Sequence, residues 1–143
     1  MNEALHLLAR VADRAIAVPA AMVDSVVDVP AIVPAPRAHP AVRGLAALRS
    51  RVVTVVDSWH LLGLGNAPLD VRRAILTVVD GHHHAILVDT LHDVLTLAVE
   101  PVPAGMPLGP RWGPIVVGAS VHDGEPLLIV DIAALVRTMG RAD

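Results

Sequence analysis

The sequence predicts an all-β fold with short helices, a barrel or sandwich assembled from two small, similar units. Two observations predict it. Short runs rich in valine, leucine and isoleucine recur along the chain, each bounded by Gly, Pro or Asp turn signals. In addition, the run Val52-Val53-Thr54-Val55-Val56-Asp57, followed by Leu61-Leu62, is echoed by Leu127-Leu128-Ile129-Val130-Asp131, followed by Leu135-Val136. One unit alone, at roughly 65–70 residues, has a marginal core. The two are therefore expected to share one.

Each element has its own justification, taken here in chain order. Leu5, Leu7, Ala9 and Val11 alternate, Ala12-Asp13-Arg14 turns, and Ala15–Val18 returns as a second strand. Ala20–Val29 fits a helical turn or a strand, and its β-branched valines favour a turn entering a strand. Four prolines in the eleven residues Pro30–Pro40 dictate a surface loop. Arg43-Gly44 reads as a turn in which glycine supplies a positive φ, within the segment Val42–Leu48. Val52–Val56 is a strand. Asp57 or Ser58 then caps a short helix over His60-Leu61-Leu62 that Gly63 ends.

Asn66–Asp70 reads as a linker. Ala74–Val79 is a buried strand, Asp80-Gly81 a hairpin turn and Ala85–Val88 the returning strand. Leu91, Val94, Leu95 and Leu97 show mixed periodicity. Glu100–Trp112 is a loop broken by Pro101, Pro103, Pro107 and Pro110. Ile115–Ala119 and Leu127–Val130 are strands flanking a His122-Asp123-Gly124 turn. Asp131 caps a final helix carrying Ile132, Leu135 and Val136.

Composition excludes several function classes. Hydrophobic residues make up 54% of the 143-residue chain. Yet no apolar run approaches the ~18–20 residues of a membrane span, so no direct membrane insertion is expected. The start, M-N-E-A-L-H-L-L-A-R, has no basic stretch before an apolar block, which argues against a signal peptide and for a cytoplasmic protein. There is no cysteine, hence no disulfide and no thiolate metal site. The net charge is −3, and the eleven basic residues are scattered arginines with only Arg72-Arg73 adjacent. That is no footprint for nucleic acid. Phe and Tyr are absent, so Trp59 and Trp112 are the only aromatic rings available for stacking on bases or sugars.

Four segments carry a family resemblance. Pro40–Leu64 reads P-A-V-R-G-L-A-A-L-R-S-R-V-V-T-V-V-D-S-W-H-L-L-G-L, and Val23-Asp24-Ser25-Val26 precedes it across the proline loop. His84–Leu97 reads H-A-I-L-V-D-T-L-H-D-V-L-T-L, and Gly118–Asp131 sets an Asp-Gly turn before a closing strand and aspartate. In this order and spacing, over roughly Leu7 to Val136, the chain resembles CheW-like chemotaxis coupling domains. Their patterns run R-G-x-x-N-L-R-G-x-V-V-P-V-I-D-L, V-x-E-V, V-G-x-V-V-D-x-V-x-x-V-L-x-L and G-x-x-x-x-D-G-x-x-x-x-x-L-D.

The resemblance implies two SH3-like, five-stranded β-barrels packed together, the first strand contributing to the later barrel. It implies one domain over residues 5–137, switching subdomain near 72–80, with a tail over 138–143. It also implies an adaptor with no catalytic site and no cofactor. The implied partners are a chemoreceptor's cytoplasmic tip, the regulatory domain of a CheA-type histidine kinase and other CheW-like domains. The chain departs from the patterns at Ser25 (Glu), Ala47 (Asn), Ser50 (Gly), Thr54 (Pro), Ala85 (Gly) and Val130 (Leu). These departures favour a divergent coupler, or an accessory module of a non-motility or kinase-only pathway.

The residues singled out for receptor binding are Val23, Ser25, Val26, Arg43 and Arg49; no residue is singled out for the kinase. Arg49 offers a planar set of five donors to helix C-terminal carbonyls, or else is solvated or ion-paired with Asp57. Val23, Val26 and Val27 read as i, i+3, i+4 anchors for a partner helix, or as core. Asp57, Asp89 and Asp131 each end an apolar strand. A small hydrolase with paired aspartates is the enzymatic alternative, but capping and turn formation account for all three. His82-His83-His84 has the residue type of a metal site, yet neighbours in a strand point to opposite faces, so an exposed hairpin tip is expected and no metal. Trp112 is an interface anchor or packs over a barrel end.

Overall fold

The computed structural model describes residues 3–140. The strands are β1 (Glu3–Val11), β2 (Arg14–Pro19), β3 (Ser25–Asp28), β4 (Val42–Leu48), β5 (Arg51–Asp57), β6 (Arg73–Val79), β7 (His82–Leu87), β8 (Thr90–Ala98), β9 (Val116–His122) and β10 (Glu125–Val130). The helices are α1 (Ser58–Leu61), α2 (Gly109–Trp112) and α3 (Ile132–Arg137). The strands form two five-stranded sheets, ordered β3-β6-β7-β5-β4 and β8-β1-β2-β10-β9. The first strand thus joins the later sheet, as expected, and β2 joins it as well. Each sheet contains one parallel pair, β5 with β7 and β2 with β10.

The hairpin turns are two residues long, at Ala12-Asp13, Arg49-Ser50, Asp80-Gly81 and Asp123-Gly124, and both residues of each have positive φ. That conformation matches the right-handed twist of the flanking strands. The β4–β5 turn therefore falls at Arg49-Ser50 (φ 51° and 66°). Arg43-Gly44, read from the sequence as a turn, lies instead inside β4 at a register shift between Val42 and Gly44. Gly44 (φ 149°) is needed there because a Cβ would sit 2.8 Å from Ile32 Cγ2 and closer still to the Val33 carbonyl. The proline loop lies against β4 at this point, with Val33 and Leu45 exchanging both backbone hydrogen bonds at 2.8 Å.

The sheets are SH3-like, but the expected closure into barrels is incomplete. The two ends of the first sheet's strand order, β3 and β4, are not laddered to each other. Outside the named strands, single bridges join Val33 to Leu45 and Glu100 to Ala119. Prolines crowd both neighbouring loops and remove the backbone donors that a continuing ladder needs.

Strand alternation divides the core. Val11, Ile16, Val18, Val56, Ile75, Ile86, Val130, Ile132 and Leu135 belong to one continuous cluster common to both sheets. Leu8, Ala17, Leu97, Leu127 and Ile129, at alternating positions, fill a smaller cluster within the second sheet's own concavity. The shared core is thus the larger one, as the size of each half requires.

The sequence echo is a structural one. Asp57 (φ −85°, ψ 102°) and Asp131 (φ −85°, ψ 103°) cap α1 and α3, accepting from the His60 N–H at 3.3 Å and the Ala134 N–H at 2.9 Å. Their own N–H groups donate to Ala41 O (2.7 Å) and Ile115 O (2.8 Å). Asp89 accepts from the Asp13 N–H at 3.4 Å, at the β1–β2 turn.

Several boundaries differ from expectation. β7 starts at His82, so the histidine triplet is on the strand, and β8 is one strand despite its mixed periodicity because β1 pairs along it through a register shift. α2 occupies part of the expected 100–112 loop, its Pro110 pre-set for a first helical turn. Within the expected tail over 138–143, Thr138–Gly140 form a 3-10 turn after α3, while 141–143 lie outside the described residues. Among the described residues no helix is long and apolar enough to cross a membrane.

Candidate functional site

The incomplete closure of the first sheet leaves a cleft of about 240 Å3. Its floor is apolar: Val27 from β3, Val53 from β5 and Leu76 from β6. Cross-strand register places these side chains together, since Ser25 pairs with Leu76 and Leu76 with Ala85, two residues from His83 on the same face. The rim is polar: Asp24, Ser25, Arg49, Arg51 and His83.

Arg49 stands at the β4–β5 hairpin tip, exposed, with no hydrogen bond or ion pair among the described residues. Arg51 Nη1 lies 3.5 Å from His83 Nδ1, and because a guanidinium only donates, that imidazole nitrogen accepts. Two guanidiniums face one carboxylate, Asp24, across an apolar floor. The arrangement suits a helix end, whose free carbonyls carry partial negative charge.

Of the five residues singled out for receptor binding, the cleft brings together Ser25 and Arg49. Val23 lies just ahead of β3, partly buried against the shared core. Val26 is 39% exposed but occupies the face of β3 opposite Ser25 and Val27. The helical spacing i, i+3, i+4 does not apply to a strand; alternation pairs Val27 with Ser25 and turns Val26 away.

Arg43 is held inside the structure. Its Nη2 donates to Asp57 Oδ2 at 3.2 Å and to the Ala67 carbonyl at 2.6 Å. The Asp57 side chain is 5% exposed and also accepts from the Ala67 N–H at 2.9 Å. The Asp57 ion pair weighed for Arg49 thus belongs to Arg43. Arg51 and His83 are cleft residues that sequence reasoning missed. The two-residue turn at Arg49-Ser50 locates Arg51, but His83 depends on the parallel β5–β7 pairing, for which no local signal exists.

The remaining candidates have structural settings. Burial lowers the pKa of His84, with its neighbours His82 and His83 acting in the same direction and the His82 carbonyl and Asp80 opposing. No group of three or more His, Asp or Glu able to hold a metal occurs among the described residues. Trp112, 9% exposed, donates from Nε1 to the Leu62 carbonyl at 3.1 Å, and the Arg14 guanidinium lies 5.8 Å from its ring centroid. That is packing between α2 and the α1 end, with a cation–π contact above.

A family model described as a CheW-like domain matches residues 5–139. No curated protein matches. Among solved structures, the scaffolding protein TtCheW from Thermoanaerobacter tengcongensis is similar, with a TM-score of 0.79 and 21% identity over 94% of this chain and 92% of that one.

Proposed function

The chain belongs to the CheW-like family, and from that premise we propose that it is a non-catalytic adaptor in bacterial chemosensory signalling, coupling chemoreceptors to a CheA-type histidine kinase. The observation that carries this reading is the cleft, where Arg49, without an ion-pair partner among the described residues, stands above the apolar floor of Val27, Val53 and Leu76. A receptor's cytoplasmic helical tip seats there, with Arg49 on its terminal carbonyls and polar groups and Ser25 beside it. Val23, packed on the shared core, and Val26, on the opposite face of β3, act by holding that strand in place rather than by lining the seat. Arg43 acts on it indirectly, by fixing β4 against Asp57 and Ala67. The mechanism is geometric: one surface holds the receptor tip and another holds the kinase's regulatory domain. A receptor movement biases the kinase by the difference in binding free energy between two states, typically ~1–3 kcal/mol.

A pull-down with cytoplasmic receptor fragments and a CheA regulatory domain tests the reading. Capture of both is expected, and Arg49→Ala should weaken the receptor arm more than the kinase arm. Capture of neither, where a standard coupler binds both, refutes the adaptor role. Equal weakening of both arms removes the role given to Arg49.

A second reading keeps the fold and the kinase but drops the receptor. It is favoured by Ser25, which puts a neutral hydroxyl in the cleft where the family pattern has an acid, and by the Ala47 and Ser50 departures. On that reading Ser25→Glu, Ala47→Asn and Ser50→Gly together create receptor binding that the parent chain lacks. No gain counts against it.

A further inference from the structure

Remote from the cleft, a cavity of about 410 Å3 opens where the two halves of the molecule meet. His39 and Pro40 line it from the end of the proline loop, His60 and Leu61 from α1, and Pro110 and Arg111 from α2. No carboxylate lines it, and Arg111 has no carboxylate partner among the described residues. The cavity therefore carries net positive charge in a protein whose overall charge is −3.

Each ring and guanidinium here is oriented by a contact that leaves a defined group free, while the Thr138 hydroxyl that also lines the cavity already spends its proton on the Leu135 carbonyl at 2.6 Å. His39 Nδ1 accepts the Ala41 N–H at 3.0 Å, which puts the proton of the neutral ring on Nε2. A protonated Nε2 is a donor, not a metal ligand. His60 Nδ1 faces the Asn66 amide oxygen at 3.3 Å and donates to it, which leaves Nε2 of the neutral ring as an acceptor. The two rings stand edge to face with centroids 6.2 Å apart. Arg111 spans the halves: Nη1 donates to the His60 carbonyl at 3.0 Å, and its stem lies over Gly63. Its remaining guanidinium donors have no partner among the described residues.

We infer that this cavity is a binding site for hydrogen phosphate. The free groups are two donors, His39 Nε2–H and the Arg111 fork, and one acceptor, His60 Nε2. Hydrogen phosphate presents acceptor oxygens for the first two and a P–OH for the third. Sulfate has the same shape and charge but no proton, and so leaves the acceptor unsatisfied. The occupant touches elements of both halves and ties them together.

The test is a titration of the full chain, at mildly alkaline pH, with inorganic phosphate and separately with sulfate, followed by the imidazole resonances of His39 and His60. Saturable shifts with phosphate are expected, with affinity about tenfold above that for sulfate, the scale of one charge-assisted hydrogen bond. Arg111→Gln should weaken phosphate binding by about tenfold on the same ground. His60→Phe should abolish the preference for phosphate over sulfate. Any of three results overturns the assignment: no saturable shift, equal affinity for the two anions, or unchanged binding in Arg111→Gln. Should Arg111→Gln fail to fold, His60→Phe decides alone, because a preference that survives it rules out the acceptor role.

Discussion

Replacing Arg43 by alanine separates a structural arginine from a binding one. Arg43 Nη2 bonds Asp57 Oδ2 at 3.2 Å and Ala67 O at 2.6 Å, with side-chain exposures of 18% for Arg43 and 5% for Asp57. Removing one partner of a buried pair costs about 3–5 kcal/mol when the other charge is left alone. Asp57 is not left alone, because the Ala67 and His60 N–H groups still donate to it at 2.9 and 3.3 Å. The Ala67 carbonyl, however, loses its charged donor. A loss of about 2–3 kcal/mol follows. Adding Asp57→Asn removes the charge that Arg43 neutralises, so the double variant should be less destabilised than the sum by about 1–2 kcal/mol. Urea unfolding measures all three variants, read at constant m so that the shift reports native stability. A loss below about 1 kcal/mol for Arg43→Ala, or strict additivity, refutes the reasoning. Retained stability with lost receptor binding would instead make Arg43 a contact residue.

Further outcomes follow from other named residues. Gly44→Ala should cost about 2–4 kcal/mol by urea unfolding, since it combines backbone strain with a clash against the Ile32–Val33 backbone and side chain. Gly81→Ala, at φ 80° with open space around it, should cost only about 1–2 kcal/mol. Asp131→Ala should cost about 1 kcal/mol as a lost cap, and Asp57→Ala more, because its carboxylate also holds Arg43 and Ala67. Burial lowers the pKa of His84, so the unfolded chain takes up its proton first. Its contribution is complete above the ordinary imidazole range and lost as pH falls through it towards the lower folded value, a slope that His84→Gln should flatten in a pH series of thermal melts. Asp80 is lowered by the hydrogen bond and charge of Arg137, so Arg137→Gln should flatten the separate loss of stability below the ordinary carboxyl range.

The site was only partly legible beforehand. Arg49 and Ser25, twenty-four positions apart in the chain, line one cleft. A helical spacing groups Val26 with Val27, whereas strand alternation in the four-residue β3 puts them on opposite faces and leaves only Val27 on the cleft floor. The Arg43–Asp57 pair is not legible in the sequence, because the partners lie fourteen residues apart and meet across a bulge that only the β4–β5 register reveals. The Arg43-Gly44 turn failed for a related reason. Glycine there answers the close approach of the proline loop, a tertiary demand, while the true turn at Arg49-Ser50 contains no glycine at all.

Local chemistry was readable from the residues in order. Asp57 and Asp131 as caps, Asp80-Gly81 as a hairpin turn, the proline-rich loop and the all-β class each depend on a few adjacent side chains and on backbone preferences that act within one turn. The pairing of the first two strands with the last three, the sheet edges left open and the partner of each arginine were settled by contacts distant along the chain. Such contacts are chosen by the burial of whole faces at once, and no short window of residues carries that sum.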